Sequence, residues 1–382
     1  MSVKSSENNG EKSLSISHSS ELVKIPDNPS SALSEMMIRS LTYIQSEECV
    51  DRRYQIGKHE LHEPDYRLVC AFAEDLGKSP EQILRTLLKG KLHKVAWISY
   101  VTNQSKIIDG RFTILEIPIS FKKLKKIPAI TGLIVDKLSI DGHKLGKIDL
   151  SSFPLLNNLE CSANELTELD LSHTPLLTLL RCGENQLTQL DLSHTPLLTS
   201  LGCSDNQLTE LDLSHTPLLT ELYCFNNQLT ELDLSHIPLL TSLGCSYNQL
   251  TELDITKTPL LNWLKCEHNQ LTELDITKTP LLNWLNCEHN QLTELDMTKT
   301  PLLTFLFCYE NQLTELDLSH TPEISHLDCS VNQLTELDLS RTPLLTFLAC
   351  NNNQFTELDI TKTPLLTELY CDHNKFPVKT KL

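Results

Sequence analysis

The apolar and polar residues of the second half of the chain recur with a period of 21 positions. In the unit that runs from Leu198 to Leu218, LTSLGCSDNQLTELDLSHTPL, apolar residues occupy positions 1, 4, 6, 11, 14, 16 and 21. The alternation around position 4 predicts a short strand, and a proline in every unit excludes long helices. One unit cannot bury its apolar side alone. We therefore expect consecutive units to stack, with their strands paired in parallel.

Cysteine occupies position 6 of eleven units, from Cys161 to Cys371. Disulfide scaffolds of secreted proteins are short and irregularly spaced, and no CxxC metal-binding pair is present. Neighbouring strands lie about 4.8 Å apart, whereas the Cβ atoms of bonded cysteines lie about 3.8 Å apart. We predict a structural ladder of buried, free thiols that includes Cys203, Cys224, Cys245 and Cys266.

Asparagine occupies position 9 of the same units, directly after each predicted strand. A buried side-chain amide at a turn can bond backbone N–H and C=O groups of its own coil and of the adjacent coil. Loss of one such amide would cost about 1–3 kcal/mol, because its partners would be left unsatisfied. This second structural ladder includes Asn206, Asn227, Asn248 and Asn269.

The pattern LxxLxLxxNxL resembles the leucine-rich repeat family, and it is written here as Leu198, Leu201, Cys203, Asn206 and Leu208. It recurs eleven times between 156 and 374, after one degenerate unit at 138–150. Cysteine at position 6 of a 21-residue unit resembles the cysteine-ladder variety of bacterial internalin-like proteins. The resemblance implies an α/β repeat solenoid of about twelve coils, with a parallel β-sheet on the concave face and an extended or 3-10 convex side. It also implies a protein-interaction module, such as a bacterial effector or adaptor.

The predicted organisation has four segments: a disordered polar tail (1–30), a small, mainly helical N-terminal domain and cap (31–133), the solenoid (134–376) and a second tail (377–382). Apolar periodicity predicts helices over 31–47 and 64–76. Ser79-Pro80-Glu81-Gln82 offers an N-cap, a proline at the first helical position and a capping-box glutamine for a helix that ends near Gly90. The segments 91–101 and 111–121 fit either strands or a further helix.

Residues 71–90 resemble the two-helix part of helix-turn-helix or ribbon-helix-helix regulators, although a helical hairpin that covers the first coil fits the same residues. DNA binding by the N-terminal domain is therefore the alternative function. The repeats do not favour nucleic acid, because neutralising phosphates requires Lys and Arg. Residues 141–382 carry 12 Lys and Arg against 33 Asp and Glu, a balance of −21 within a net charge of −18 for the whole chain.

The units differ from one another mainly at positions 3, 5, 7 and 8. If positions 4 and 6 point into the core, positions 3, 5 and 7 point outward from the same strand. Ten of the twelve aromatic residues beyond Leu155 occupy these four positions, and exposed aromatic patches mark interaction sites. Aromatic rows also stabilise a sheet through cross-strand contacts, which is the other interpretation. We predict that a protein partner binds Tyr223, Phe225, Tyr247, Trp263, Lys265, Trp284, Phe305, Phe307, Tyr309, Phe347 and Tyr370.

Other charged groups offer weaker chemistry. Glu at position 13 and Asp at position 15 form rows that could share cations, or could be solvated and bond local N–H groups. The pairs Glu267-His268 and Glu288-His289 could ligate zinc or transfer protons. No nucleophile or third ligand accompanies them, and hard cations need six or more oxygens. We expect no enzymatic activity, no catalytic residue, no cofactor and no metal.

No apolar run reaches the roughly 20 residues of a membrane span, and the first residues lack the apolar region of a Sec signal. We expect a cytoplasmic protein without a membrane span. The alternative is export without a Sec signal, into a host cell. The few residues after the last unit leave end-to-end self-association open as a further expectation.

Overall fold

A computed structural model of the 382-residue chain describes residues 53–56, 59–89, 106–108, 111–116 and 134–377. The described residues all belong to one compact unit, which begins at Glu47. The predicted tail at 1–30, the predicted helix at 31–47 and the undecided segment at 91–101 lie outside the described residues.

The first described part combines a β-hairpin with two helices. Strands β1 (Arg53–Ile56) and β2 (His59–His62) are antiparallel, and α1 (Glu63–Leu76) and α2 (Pro80–Lys89) follow. The Ser79 N–H donates to Gln82 Oε1 at 3.0 Å, and the Gln82 N–H donates to Ser79 Oγ at 3.2 Å. These reciprocal bonds are the predicted capping box, and they fix where α2 begins.

A second hairpin continues the sheet of the repeats. Strands β3 (Lys106–Ile108) and β4 (Arg111–Glu116) are antiparallel, and Leu115 of β4 lies opposite Leu138 in parallel register. The segment 111–121 therefore begins as a strand, one of the two structures left open above. Because β4 pairs with the first strand of the solenoid, the backbone groups on that edge are satisfied. The helices predicted over 64–76 and after Ser79 are present, but it is a hairpin that pairs with the first coil.

Fourteen strands form one sheet in chain order from β3 to β16. The twelve strands that belong to the coils are β5 (Lys137–Ser139), β6 (Asn158–Glu160), β7 (Leu179–Arg181), β8 (Ser200–Gly202), β9 (Glu221–Tyr223), β10 (Ser242–Gly244), β11 (Trp263–Lys265), β12 (Trp284–Asn286), β13 (Phe305–Phe307), β14 (His326–Asp328), β15 (Phe347–Ala349) and β16 (Glu368–Tyr370).

The coils stack in the predicted register. Leu243 lies opposite Leu264, 21 residues away, and every strand from β4 to β16 pairs in parallel with the next. On the convex side each coil makes two consecutive i→i+3 turns; for example, the Thr216 N–H donates to Leu213 O and the Leu219 N–H donates to Thr216 O, both at 3.1 Å. Residues 134–377 form strands and turns without helices. The solenoid therefore has the predicted parallel sheet and a turn-rich convex side.

Position 6 lies inside the solenoid. The ladder cysteines from Cys161 to Cys350 are buried free thiols, and Cys371 in the last coil is partly exposed. Burial raises the pKa of the Cys203 thiol to about 12, because a thiolate would lose its hydration there. The thiols act as small apolar side chains between the leucines of positions 4 and 11.

The asparagine at position 9 joins each coil to the preceding one. Asn206 Nδ2 donates to Cys203 O in its own coil and to Cys182 O in the preceding coil, both at 3.1 Å. Its Oδ1 accepts the Leu187 N–H at 3.0 Å. The same bonds recur along the ladder, including at Asn227, Asn248 and Asn269. Each amide satisfies backbone groups that the turn after the strand leaves unpaired.

Position 8 adopts a left-handed backbone conformation in every repeat, which the sequence analysis did not predict. Its φ angle is 55° at Asp205, 50° at Asn226 and 52° at Val331. Asn and Asp tolerate this conformation better than other non-glycine residues, and a β-branched residue is strained there. The turn between each strand and its position 9 asparagine therefore strains the backbone at position 8, and the strain energy depends on which residue occupies that position.

Candidate functional site

The strands turn positions 3 and 5 toward one face and position 4 toward the core. In β11, Leu264 is fully buried while Trp263 and Lys265 are partly exposed. The same alternation holds in β9 and β13. We call the surface formed by positions 3, 5 and 7 the concave face.

A continuous aromatic row crosses strands β12 to β16 on this face. The ring centroids of Trp284 and Phe305 are 4.4 Å apart, and those of Phe305 and His326 are 4.7 Å apart. His326 then stacks on Phe347 at 6.0 Å, and Phe347 contacts Tyr370 at 5.7 Å. Phe307 lies beside the row, 5.5 Å from Trp284. The row includes His326, which the sequence analysis omitted although it occupies position 3.

Trp263 belongs to a second, smaller group. It is in register with Trp284, but its ring makes an edge contact with Tyr223, with the centroids 5.9 Å apart. Tyr223 stacks on Phe225 at 6.0 Å, and Lys265 Nζ lies 5.7 Å from the centre of the Trp263 ring. Trp263, Trp284 and Phe305 are in register on neighbouring strands, but the described ring stacking joins only the last two.

Gly244 explains how Phe225 is accommodated. A Cβ atom at Gly244 would lie 2.0 Å from Cζ of Phe225. Because Gly244 has no side chain, the concave face has a recess at this position, and the Phe225 ring fills it. The sequence held a partial signal for this recess, because position 5 carries glycine in two units, at Gly202 and Gly244, and larger residues in the others.

Tyr247 and Tyr309 belong to a column at the end of the strands, not to the aromatic row. The Tyr247 and His268 rings stack at 4.2 Å, and His268 stacks on His289 at 3.9 Å. Tyr309 meets His289 edge-on at 5.0 Å. Burial, followed by the neighbouring His289, lowers the pKa of His268. Tyr247 is 50% exposed, so the column is open to solvent at that end.

The same face carries carboxylates that the sequence analysis did not assign to partner binding. Glu267 and Glu288 occupy position 7, and Asp328 occupies position 5 of β14. Asn286 Nδ2 donates to Glu288 Oε2 at 3.2 Å. Burial raises the pKa of Glu288, with further contributions from the charges of Asp328 and Glu267.

The predicted proton-transfer and metal candidates have other partners. His289 Nδ1 lies 3.0 Å from Glu310 Oε2 of the next coil, and His268 stacks between rings. In the position 15 row, Asp212 Oδ1 accepts the Ser214 N–H at 2.9 Å, and bonds with Ser214 lower the pKa of Asp212. No group of three His, Cys, Asp or Glu side chains suited to a metal ion exists within the described ranges. No helix in the described part of the chain has the length and apolar character of a membrane span.

The repeat geometry matches solved structures. The functional domain of InlJ from Listeria monocytogenes, which includes a cysteine ladder, is 34% identical in sequence, with a TM-score of 0.56 over 68% of this chain and 66% of that chain. This chain is a leucine-rich repeat protein of the cysteine-ladder variety. It spans just under two thirds of the length of the InlJ domain.

Two further structures resemble this leucine-rich repeat protein. YopM, a leucine-rich effector protein from Yersinia pestis, is 26% identical, with a TM-score of 0.54 over 68% of this chain and 74% of that chain. An internalin, inlF, from Listeria monocytogenes has a TM-score of 0.62 over 68% of this chain and 84% of that chain, and its 21% identity shows a shared fold alone. No protein-family model and no curated protein matches the chain.

These similarities give no support to the predicted alternative of DNA binding. In α2, the exposed Arg85 donates to Glu81 at 2.7 Å on the same helix, and Ile83, Leu84 and Leu87 are buried. The helix pair therefore provides a packed, capped element without a cluster of unpaired basic groups among its described side chains.

Proposed function

We propose that this leucine-rich repeat protein binds a protein partner through its concave face. The observation that carries the proposal is the continuous row from Trp284 to Tyr370. Its rings contact one another across five strands and remain partly exposed to solvent. The smaller group of Tyr223, Phe225, Trp263 and Lys265 extends the same surface toward the first coils.

Ring stacking alone does not explain the row. A stacked pair contributes about 0.5–1.5 kcal/mol, and that contribution does not require the rings to remain accessible. Trp and Tyr bury a large area on binding while losing few rotatable bonds. A stacked solenoid holds them in place beforehand, so that association orders little of the chain. The near-constant units place this variable, aromatic surface on one side only.

The test compares two double variants from the same coils. Trp263→Ala/Trp284→Ala removes large side chains from the concave face. Leu260→Ala/Leu281→Ala is the matched control, because these leucines are 40% and 42% exposed in the turns that precede the same strands. A partner is first identified by affinity capture and mass spectrometry, and its Kd is then measured with each purified variant. We expect the tryptophan variant to weaken binding about 100-fold or more, with the control within about threefold of the parent. Unchanged binding by the tryptophan variant, or loss in the leucine control, would contradict the proposal.

We further propose a role as a bacterial effector that is exported into a host cell, with an intracellular adaptor as the alternative. Similarity to the effector YopM supports export. Fusion of the full chain to a reporter enzyme that is active only in host cytosol tests it: signal in infected cells supports the effector, and signal confined to the bacterium supports the adaptor. End-to-end self-association is a separate proposal, tested by sedimentation over a range of concentrations.

A further inference from the structure

Two rings and two carboxylates adjoin on the concave face beside the aromatic row. Phe307 lies between Asn286 and Asp328 in the register of β12, β13 and β14. Tyr309 follows Phe307 along the chain, and its backbone O accepts the His289 N–H at 3.0 Å, which aligns the segment with Glu288 one coil earlier. Glu288 therefore lies on one side of the two rings, and Asp328 lies on the other.

The carboxylates influence the ring between them. The pKa of Tyr309 is raised by burial first, then by Glu310 and, more weakly, by Asp328 and Glu288. Glu310 is the next residue in the chain, and Glu288 and Asp328 belong to the coils on either side of Tyr309. Asp328 Oδ1 accepts the Ser330 N–H at 2.9 Å, which holds that carboxylate in place.

No lysine or arginine of the described residues forms an ion pair with these carboxylates, and the one basic group that acts on Glu288 is the His289 imidazole, whose charge lowers the pKa of Glu288. The ion pairs within the described ranges involve neither Glu267, Glu288 nor Asp328. Lys265, the nearest basic residue along the same rows, extends over the Trp263 ring. One oxygen of Glu267 is buried without a hydrogen-bond partner. A partly buried negative cluster of this kind is stabilised when a positive group is brought to it.

The chemistry of this cluster selects a cationic side chain. An ammonium or guanidinium group is attracted to the face of an aromatic ring and forms charge-assisted hydrogen bonds with carboxylates. The adjoining row of Trp284 and Phe305 is apolar and contacts uncharged parts of a ligand. Charge complementarity therefore favours a basic residue with apolar neighbours over an acidic or purely apolar segment.

We propose that the partner is a protein segment that places a lysine or arginine side chain over Phe307 and Tyr309, between Glu288 and Asp328, and lays apolar residues along the adjoining row. This inference rests on the proposed function, because it specifies which kind of segment the concave face binds.

A peptide library tests the inference without a known partner. Random octapeptides displayed on phage are selected against the full chain, and in parallel against Glu288→Gln/Asp328→Asn and Trp284→Ala. Asn at position 328 keeps an acceptor for the Ser330 N–H. We expect Lys or Arg next to apolar residues to be enriched about tenfold or more on the parent, with the basic preference lost on the carboxylate variant and all enrichment reduced on Trp284→Ala.

The outcomes separate the inference from the proposed function. Peptides that depend on Trp284 but show no basic preference would overturn the inference and leave the concave face as the binding surface. Peptides that bind the Trp284→Ala variant as well as they bind the parent would overturn both the inference and the proposed function. Selection of no peptide would overturn the inference, since the proposed occupant is a single segment.

Affinity measurements then quantify the contribution of the carboxylates. For the most enriched peptide, each of Glu288→Gln and Asp328→Asn should raise Kd about tenfold. The matched control is Glu252→Gln/Glu273→Gln, which removes the same charge from exposed side chains at position 13, outside the concave face, and it should change Kd by about twofold or less in physiological salt. An equal loss of peptide affinity in the control would mean that the net negative charge of the protein, and not the proposed site, attracts the basic residue. Circular dichroism of each variant verifies that the fold is intact.

Discussion

The ring of Phe225 occupies the space that a side chain at Gly244 would fill, since a Cβ atom there would come within 2.0 Å of Phe225 Cζ. Gly244→Ala should therefore displace the ring and lower the free energy of unfolding by about 1–3 kcal/mol, measured by urea denaturation. Gly202→Ala is the matched control at the same position, where the nearest atom would be Arg181 Cγ at 3.7 Å. Adding Phe225→Ala should remove most of the cost of Gly244→Ala, and additive effects of the two changes would contradict the proposed overlap.

The asparagine ladder should be most important where it is buried. Asn248→Ala removes bonds with Cys224 O and Cys245 O, both at 3.0 Å, and with the Leu229 N–H. Those backbone groups would be left without partners, so we expect a loss of about 3 kcal/mol in the free energy of unfolding. Asn374→Ala, in the partly exposed last coil, should cost about 1 kcal/mol or less because water replaces the amide. Equal costs would show that burial does not determine the contribution.

Val331 is a position at which a substitution should stabilise the protein. It is β-branched and held at φ 52°, where an L-residue is strained by about 1–2 kcal/mol. Val331→Asn should raise the free energy of unfolding by about 1 kcal/mol because asparagine tolerates this conformation. The reverse change one coil later, Asn352→Val at φ 52°, should lower it by a similar amount. Thermal melts of both variants check the prediction, and changes of the same sign would refute it.

Thiol labelling should follow burial along the ladder. Burial raises the pKa of Cys203 to about 12 and also raises that of the more exposed Cys371. The thiolate is the reactive species, and Cys203 is inaccessible as well. Alkylation of the native protein at pH 8, followed by peptide mass spectrometry, should modify Cys371 before any other ladder cysteine. Rapid modification of Cys203 without unfolding would contradict the stacking of the coils.

His268 should make stability depend on pH. Its folded-state pKa is lowered, by burial first and by His289 second. Below about pH 6.5 the unfolded chain binds a proton at this residue before the folded chain does, so stability is lost as the pH falls toward the folded-state pKa. His268→Asn removes this loss and suits the left-handed backbone. The stability of the variant relative to the parent should therefore increase between pH 7.5 and pH 5 in urea titrations, whereas parallel pH curves would exclude the effect.

The repeat register could be predicted from the sequence because one strong period specifies it. Leu201, Cys203 and Asn206 recur at fixed spacing, and each has a place that only a stacked coil provides. The capping box at Ser79 could also be predicted from the sequence, since it depends only on residues that are close together in the chain.

The details of the concave face could not be predicted in the same way. Trp263 and Trp284 share a position, but their rings turn toward different neighbours, because Phe225 fills the recess at Gly244 and leaves Tyr223 beside Trp263. Such choices depend on side-chain packing between coils. The pairing of β4 with β5 could not be predicted either, because residues 111–116 do not show the 21-residue pattern.

Each coil is joined to the preceding one by the same set of bonds, so the interfaces within the array are interchangeable. Removal or duplication of one 21-residue unit therefore still produces matched neighbours. The surface presented to a ligand can thus be lengthened or shortened in steps of one strand, while the groups on either side of the junction keep their hydrogen bonds.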